Sequence, residues 1–128
     1  MSERASIMPE YVKEILDAFN RRDVDAIVGF FTDDAEWLLA RGPEPCGRRL
    51  VGKEQIRELL ETRFEMIPDM RWVDSKSWIH GNQAVSEWRV QGTTTTGEKI
   101  DWLGCDLWEF RDGKIAKKDT YWKYVEKE

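Results

Sequence analysis

Apolar positions in the first half of the chain repeat at helical spacing. In "PEYVKEILDAFN" (9–20) they fall at Val12, Ile15, Leu16 and Phe19, one face of a helix with Pro9 in its first turn. Asp23 then stands as an N-cap, and Val24, Ile27, Val28 and Phe31 form the stripe of a short second helix. "AEWLLAR" (35–41) reads as a short strand. "GPEPCGRR", with two prolines and two glycines, reads as a loop. A third helix is predicted over Lys53–Met66, with Ile56, Leu59, Leu60, Arg63, Phe64 and Ile67 on one side. Arg63 interrupts that apolar stripe, and a long arginine there is expected to snorkel to water.

Beyond Pro68 the period changes to two. "MRWVDSKSWI" and "QAVSEWRVQGT" flank the turn "HGN", "TTTTGEK" is a second loop, and "IDWLGCDLWEF" is a third long strand. "RDGK" turns the chain into "IAKKDTYWKYV". The expected fold is α+β. Three helices surround one short strand, four long antiparallel strands follow, and the helices pack on one face of a curved sheet. The length of 128 residues suits one domain spanning 1–128.

One residue disturbs the alternation of the third long strand. Counting back from Phe110 by twos gives Trp108, Asp106, Gly104 and Trp102, so an aspartate shares a face with large aromatics. Burial disfavours an ionised carboxylate unless a cation or hydrogen-bond donors stabilise it. By the same parity Trp88 has Ser86 and Val90 as face-mates, and Trp37, Leu39 and Arg41 share one side of the short strand.

Composition narrows the chemistry. Seven tryptophans suggest that aromatic rings line a cavity or an interface. The net charge of −5 and scattered basic pairs (Arg21-Arg22, Arg48-Arg49, Lys117-Lys118) argue against nucleic acid. No apolar run approaches the roughly 18–20 residues that span a bilayer. "MSERASIMPEY" has no apolar leader, so a cytoplasmic location is expected. Cys46 and Cys105, with the single His80, form neither a disulfide framework nor a metal site. Both cysteines read as packed thiols, and His80 as exposed at a hairpin tip. No glycine-rich phosphate loop is present.

The helix–helix–strand–helix start, "FFTDDAEW" after the second helix, "GKEQI" opening the third and "FRDGKI" joining the last strands resemble the nuclear transport factor 2-like superfamily. The match is to its ketosteroid-isomerase-like and SnoaL-like members, over about residues 8–125. The resemblance implies a cone-shaped fold, a deep pocket between the concave sheet face and the helices, and dimerisation through the sheet's outer surface. It also places family catalytic groups at particular positions. The isomerase base falls at Leu39 and the oxyanion tyrosine near Ile15, neither able to act. The second oxyanion donor, or the cyclase histidine, falls at Asp106. The cyclase acid and an epoxide-hydrolase aspartate fall at Thr120. Steroid isomerisation and epoxide hydrolysis by those mechanisms are therefore disfavoured.

In the last strand, simple alternation puts Ile115, Lys117, Asp119 and Tyr121 on one face and Lys118, Thr120 and Trp122 on the other. The resemblance turns Lys118 and Thr120 inward; a bulge near the hairpin reconciles this with a buried Ile115. The alternative turns Asp119 inward and Lys118 to solvent. The expectation is acid/base chemistry without a cofactor or metal, on a small hydrophobic, oxygen-bearing molecule. Asp106 and Lys118 are its catalytic candidates. Trp37, Leu39, Arg41, Trp88, Trp102, Trp108, Thr120 and Trp122 are the candidate substrate contacts, and Arg41 stands at the mouth. The rival expectation is a non-catalytic binding or dimerisation protein of the same fold.

Overall fold

A computed structural model describes residues 7–126; the first six residues of the segment read as lacking a leader lie outside it. Two helices, α1 (Pro9–Arg21) and α2 (Val24–Gly29), are followed by two strands, β1 (Phe31–Leu38) and β2 (Arg49–Val51), and a third helix, α3 (Lys53–Met66). Four long strands complete the chain: β3 (Arg71–His80), β4 (Gln83–Thr93), β5 (Lys99–Arg111) and β6 (Lys114–Trp122).

The helix ends follow local chemistry. Arg22 takes a left-handed conformation at φ 55° and closes α1 with its N–H on the Ala18 and Phe19 carbonyls. The Asp23 carboxylate then accepts the Ala26 N–H and starts α2. Asn20 accepts the Trp72 N–H and donates to the Trp72 carbonyl, which clamps the end of α1 onto β3. Arg22 adds a hydrogen bond to the Met70 carbonyl.

The six strands form one mixed sheet in the order β2-β1-β6-β5-β4-β3. Only β1 and β6 run parallel; the remaining pairings are antiparallel. Two boundaries differ from the sequence reading. Phe31 opens β1 instead of closing α2, because both placements bury it and the hydrophobic period does not separate them. The strand expected at 35–41 ends at Leu38, so Leu39 and Arg41 lie in the loop beyond it. Strand β2 takes Arg49 from the segment read as a loop, with Leu50 and Val51, to which no element was given; three residues carry no readable period.

The β5–β6 register slips between Glu109 and Phe110, which pair with Lys117 and Ile115, so Ala116 is the extra residue. That bulge puts Ile115, Lys118 and Thr120 on one face, all buried, while Asp119 turns to the other. The inner face carries Ser86, Trp88, Val90, Asp106, Trp108, Phe110, Lys118 and Thr120, each at most 5% exposed, against Val12, Ile15 and Phe19 of α1 and Ile56 and Leu60 of α3. No helix among the described residues is long and apolar enough to cross a membrane.

Candidate functional site

Asp106, at the centre of β5, is opposite Ser86 on one side and Thr120 on the other. Its side chain collects three donors. Oδ1 accepts from Lys118 Nζ at 2.8 Å and from Thr120 Oγ1 at 2.6 Å, and Oδ2 accepts from Trp88 Nε1 at 2.8 Å. Thr120 fixes the direction of these bonds. Its oxygen accepts from Trp37 Nε1 at 2.9 Å and from Lys118 Nζ at 3.0 Å, groups that only donate here, so its own hydrogen points to Asp106. Asp106 is thus an acceptor on both oxygens, not the hydrogen-bond donor that the sequence reading allowed.

The neighbouring "GC" of the strand makes this geometry reachable. Gly104 pairs with Trp88, and a Cβ on it would sit 2.6 Å from Trp88 Cη2 and 2.5 Å from the Tyr121 carbonyl oxygen. Without that Cβ, the Trp88 ring lies down over β5 and its N–H reaches Asp106. A second polar pair continues the same face. Trp108 Nε1 donates to Ser86 Oγ at 3.0 Å, and Ser86 and Ser77 share a hydrogen bond of 2.8 Å.

Lys118 is held in an aromatic box. Its Nζ lies 4.1 Å from the Trp37 ring centroid, 5.2 Å from Phe19 and 5.3 Å from Trp108. Burial pulls the Lys118 pKa below the ordinary lysine value; the Asp106 charge and hydrogen bond oppose that shift without cancelling it. Arg63 joins the site from α3. Its guanidinium carbon lies 5.7 Å from the Trp37 centroid, over a ring that is only 2% exposed. It therefore turns inward and does not snorkel. Burial lowers its pKa to about 10, partly offset by the Asp106 charge, which leaves it cationic at neutral pH.

Of the sequence candidates, Trp37, Trp88, Trp108, Asp106, Lys118 and Thr120 come together in this one network. Leu39 is buried in the main core. Trp102 and Trp122 are half-buried, with ring centroids 4.9 Å apart, and pack against the cluster of Met70, Trp88, Val90 and Ile100, as do Phe64 and Ile67. Arg41 is exposed on the loop and does not join the network; the inward cation is Arg63. Sequence reasoning also passed over Phe19 and Ser86 as site residues. The signal for Arg63 was its interruption of an apolar stripe. His80 is exposed, and Cys46 and Cys105 are half-buried free thiols. Burial raises the pKa of Cys105 above the ordinary thiol value, with the nearby Asp106, Glu87 and Asp119 charges adding to it. No cluster of metal-binding side chains occurs among the described residues. Two depressions, of about 420 and 350 Å³, lie on the outer side of the sheet, around Leu103 and Tyr121 and around Trp78 and Leu107.

Helices laid over one face of this strand order, with a polar network inside, define an α+β protein of the nuclear transport factor 2-like class. The chain belongs to the SnoaL-like domain family, whose model matches residues 12–118. Among solved structures it is similar to a candidate polyketide cyclase of Xanthomonas campestris pv. campestris, with 23% identity and a TM-score of 0.80 over 89% of this chain and 88% of that one. It is also similar to a candidate isomerase of Bacillus subtilis, with 18% identity and a TM-score of 0.76 over 89% and 84% of the two chains. A nuclear transport factor 2-like protein of unknown function from Burkholderia pseudomallei matches at 18% identity and a TM-score of 0.76, over 89% and 88%. No curated protein matches the chain. At these identities the likeness shows the fold alone.

Proposed function

We propose that this protein is an enzyme of cofactor-independent acid/base chemistry, acting on a small hydrophobic molecule that carries oxygen. Isomerisation, cyclisation and dehydration all begin with a proton taken from carbon, which is given back at another carbon or at an oxygen in a water-poor site. The observation that supports this reading is Lys118, a lysine with lowered pKa inside an aromatic box and hydrogen-bonded to Asp106 and Thr120. As a free amine Lys118 takes a proton from a carbon beside a carbonyl and returns it elsewhere. Asp106 and Thr120 hold the ammonium that forms between the two transfers. Trp37, Trp88, Trp102, Trp108 and Trp122 supply the walls, and substrate enters beside the half-buried Trp102 and Trp122.

The test uses 5-nitrobenzisoxazole, in which loss of the C3 proton to a base breaks the N–O bond and releases a coloured cyanophenolate. The protein accelerates this reaction above buffer, the rate rises with pH through a midpoint below the lysine value of 10.5, and Lys118→Met removes the acceleration. Equal rates for the two proteins sink the reading. A second reading is non-catalytic binding of the same class of molecule. It is favoured by Asp106 and Thr120 already having their hydrogen bonds made within the protein. Retained affinity for apolar probes with no turnover selects it.

The outer face is assigned to a second copy of the chain. Trp78, Val85 and Leu107 pair across β3, β4 and β5 in one apolar row, and Trp78, Leu103 and Tyr121 are each more than half exposed. Light scattering after gel filtration tests this: a dimer that Leu107→Lys converts to monomer supports it, and a monomeric wild type refutes it.

A further inference from the structure

Arg63 is a cation at this site that no hydrogen bond or ion pair among the described residues holds; the Asp106 charge acts on it only through space. It follows Ile56 and Leu60 along the inward side of α3, and its guanidinium lies over the buried ring of Trp37. Among the described residues its side chain makes no hydrogen bond and no ion pair. Its relatives differ. Arg22, Arg49, Arg57, Arg71, Arg89 and Arg111 all have side-chain partners. Arg21, Arg41 and Arg48 stand in water.

The inner carboxylate acts on Arg63 by its charge and not by a hydrogen bond. Both oxygens of Asp106 are committed to Lys118, Thr120 and Trp88. Two basic groups therefore share the Trp37 ring, Lys118 at 4.1 Å and Arg63 at 5.7 Å, and the one Asp106 carboxylate interacts with both. Two basic side chains thus face one acidic one, and the five guanidinium N–H donors of Arg63 have no acceptor among the described residues. Arg63 is half-buried, and a charge partly stripped of water without a hydrogen-bonded partner is costly, so its place at the edge of the site suits a counter-charge.

We infer that Arg63 holds an anionic oxygen of the ligand, so that the molecule taken by this protein is an apolar body bearing a carboxylate or an ionised enol. This rests on the reading of the inner face as the ligand site. Two N–H groups of the planar fork match the two oxygens of a carboxylate, and fewer match a single enolate oxygen. Trp37 forms the floor beneath the contact. The anionic group then lies against the Lys118–Asp106 pair, which places the adjoining carbon near Lys118 Nζ.

Binding is measured by quenching of tryptophan fluorescence with four probes: 2-naphthoate and its neutral amide, and 2-hydroxy-1,4-naphthoquinone, an enol ionised at neutral pH, with its neutral 2-methyl counterpart. The expected result is at least about tenfold tighter binding of an anion than of its neutral partner, as for a charge-assisted contact. The acid or the enol showing the larger preference identifies the oxygen source. Arg63→Gln and Arg63→Leu abolish the preference and leave the neutral probes bound as before, while Arg63→Lys keeps part of it. Arg63→Leu also raises the urea midpoint of the ligand-free protein, a change that a solvent-facing arginine would not produce. Equal affinity for charged and neutral probes, or a preference that survives in Arg63→Gln, overturns the inference and leaves the inner-face site standing. Failure of all four probes to bind overturns both.

Discussion

Strand β5 carries two aspartate–cation pairs, one on each face, and they behave as different objects. On the outer face Asp101 holds Arg89 through two bonds, Nε to Oδ1 at 2.6 Å and Nη2 to Oδ2 at 2.7 Å, with side chains 45% and 48% exposed. On the inner face Asp106 holds Lys118 at 2.8 Å, with both side chains at 5% exposure or less. The outer pair has the better geometry. Water and salt screen it, so either partner can leave at little cost. The inner pair has lost its hydration, and every partner left behind by a change would be stranded in an aromatic box. Contact distance alone does not rank such interactions; the surroundings do.

The sharpest way to break this comparison is to remove one inner partner. Asp106→Ala leaves the Lys118 ammonium, the Trp88 N–H and the Thr120 hydroxyl without their acceptor, and costs about 3–5 kcal/mol of folding free energy. Urea denaturation followed by tryptophan fluorescence measures it. Replacing both charges, as in Asp106→Leu with Lys118→Met, recovers most of that loss, because an apolar pair asks for no solvation. Arg89→Ala on the outer face shifts the midpoint far less. A loss in Arg89→Ala as large as in Asp106→Ala would erase the distinction between the faces.

Gly104→Ala sharpens the inner half of the comparison without touching a charge. The added Cβ meets Trp88 Cη2 and the Tyr121 carbonyl, so the ring must lift and its N–H leaves Asp106. Overpacking of this kind costs about 1–3 kcal/mol. The Trp88 indole proton, resolved by NMR, moves toward the shift of a free indole. An unchanged indole resonance in a folded variant would show that the bare strand does not hold the ring in place.

These pairs also show what the chain makes legible. The parity of Trp102, Asp106, Trp108 and Phe110 named the inner acid because a period of two survives along an unbulged strand. The bulge at Ala116 was reachable only by asking how Ile115 and Lys118 both turn inward, since no residue type signals it. The direction of the Arg63 side chain was hidden, because an arginine's long stem permits either end point and only the packed ring of Trp37 selects one. Strand β2 was hidden for a different reason: its pairing with Trp37 and its neighbours makes it a strand, not its three residues.

The pH response of the inner pair has a definite sign. Burial lowers the Lys118 pKa in the folded state, so between that lowered value and 10.5 the unfolded chain binds the extra proton. Its contribution to stability is therefore full above 10.5 and is lost as pH falls through the folded value. In a lysine-labelled sample, one ammonium resonance titrates below all others and disappears from the set in Lys118→Met. A lysine set that titrates together near 10.5 contradicts the burial that distinguishes this face.

The outer pair should give the smallest response, at the opposite end of the pH scale. The bonds from Arg89 hold the Asp101 pKa down to about 2 from 3.8. A depressed carboxyl contributes stability that is present above 3.8 and lost as pH falls toward about 2. Because both groups are bathed in solvent, added salt weakens the pair, and the order lost on breaking it is regained as side-chain freedom. The acid-unfolding midpoints of the wild type and Asp101→Asn thus differ slightly at low salt and coincide at high salt. A difference that persists at high salt would mean that the outer pair is sheltered after all, as it would be beneath a second copy of the chain on that face.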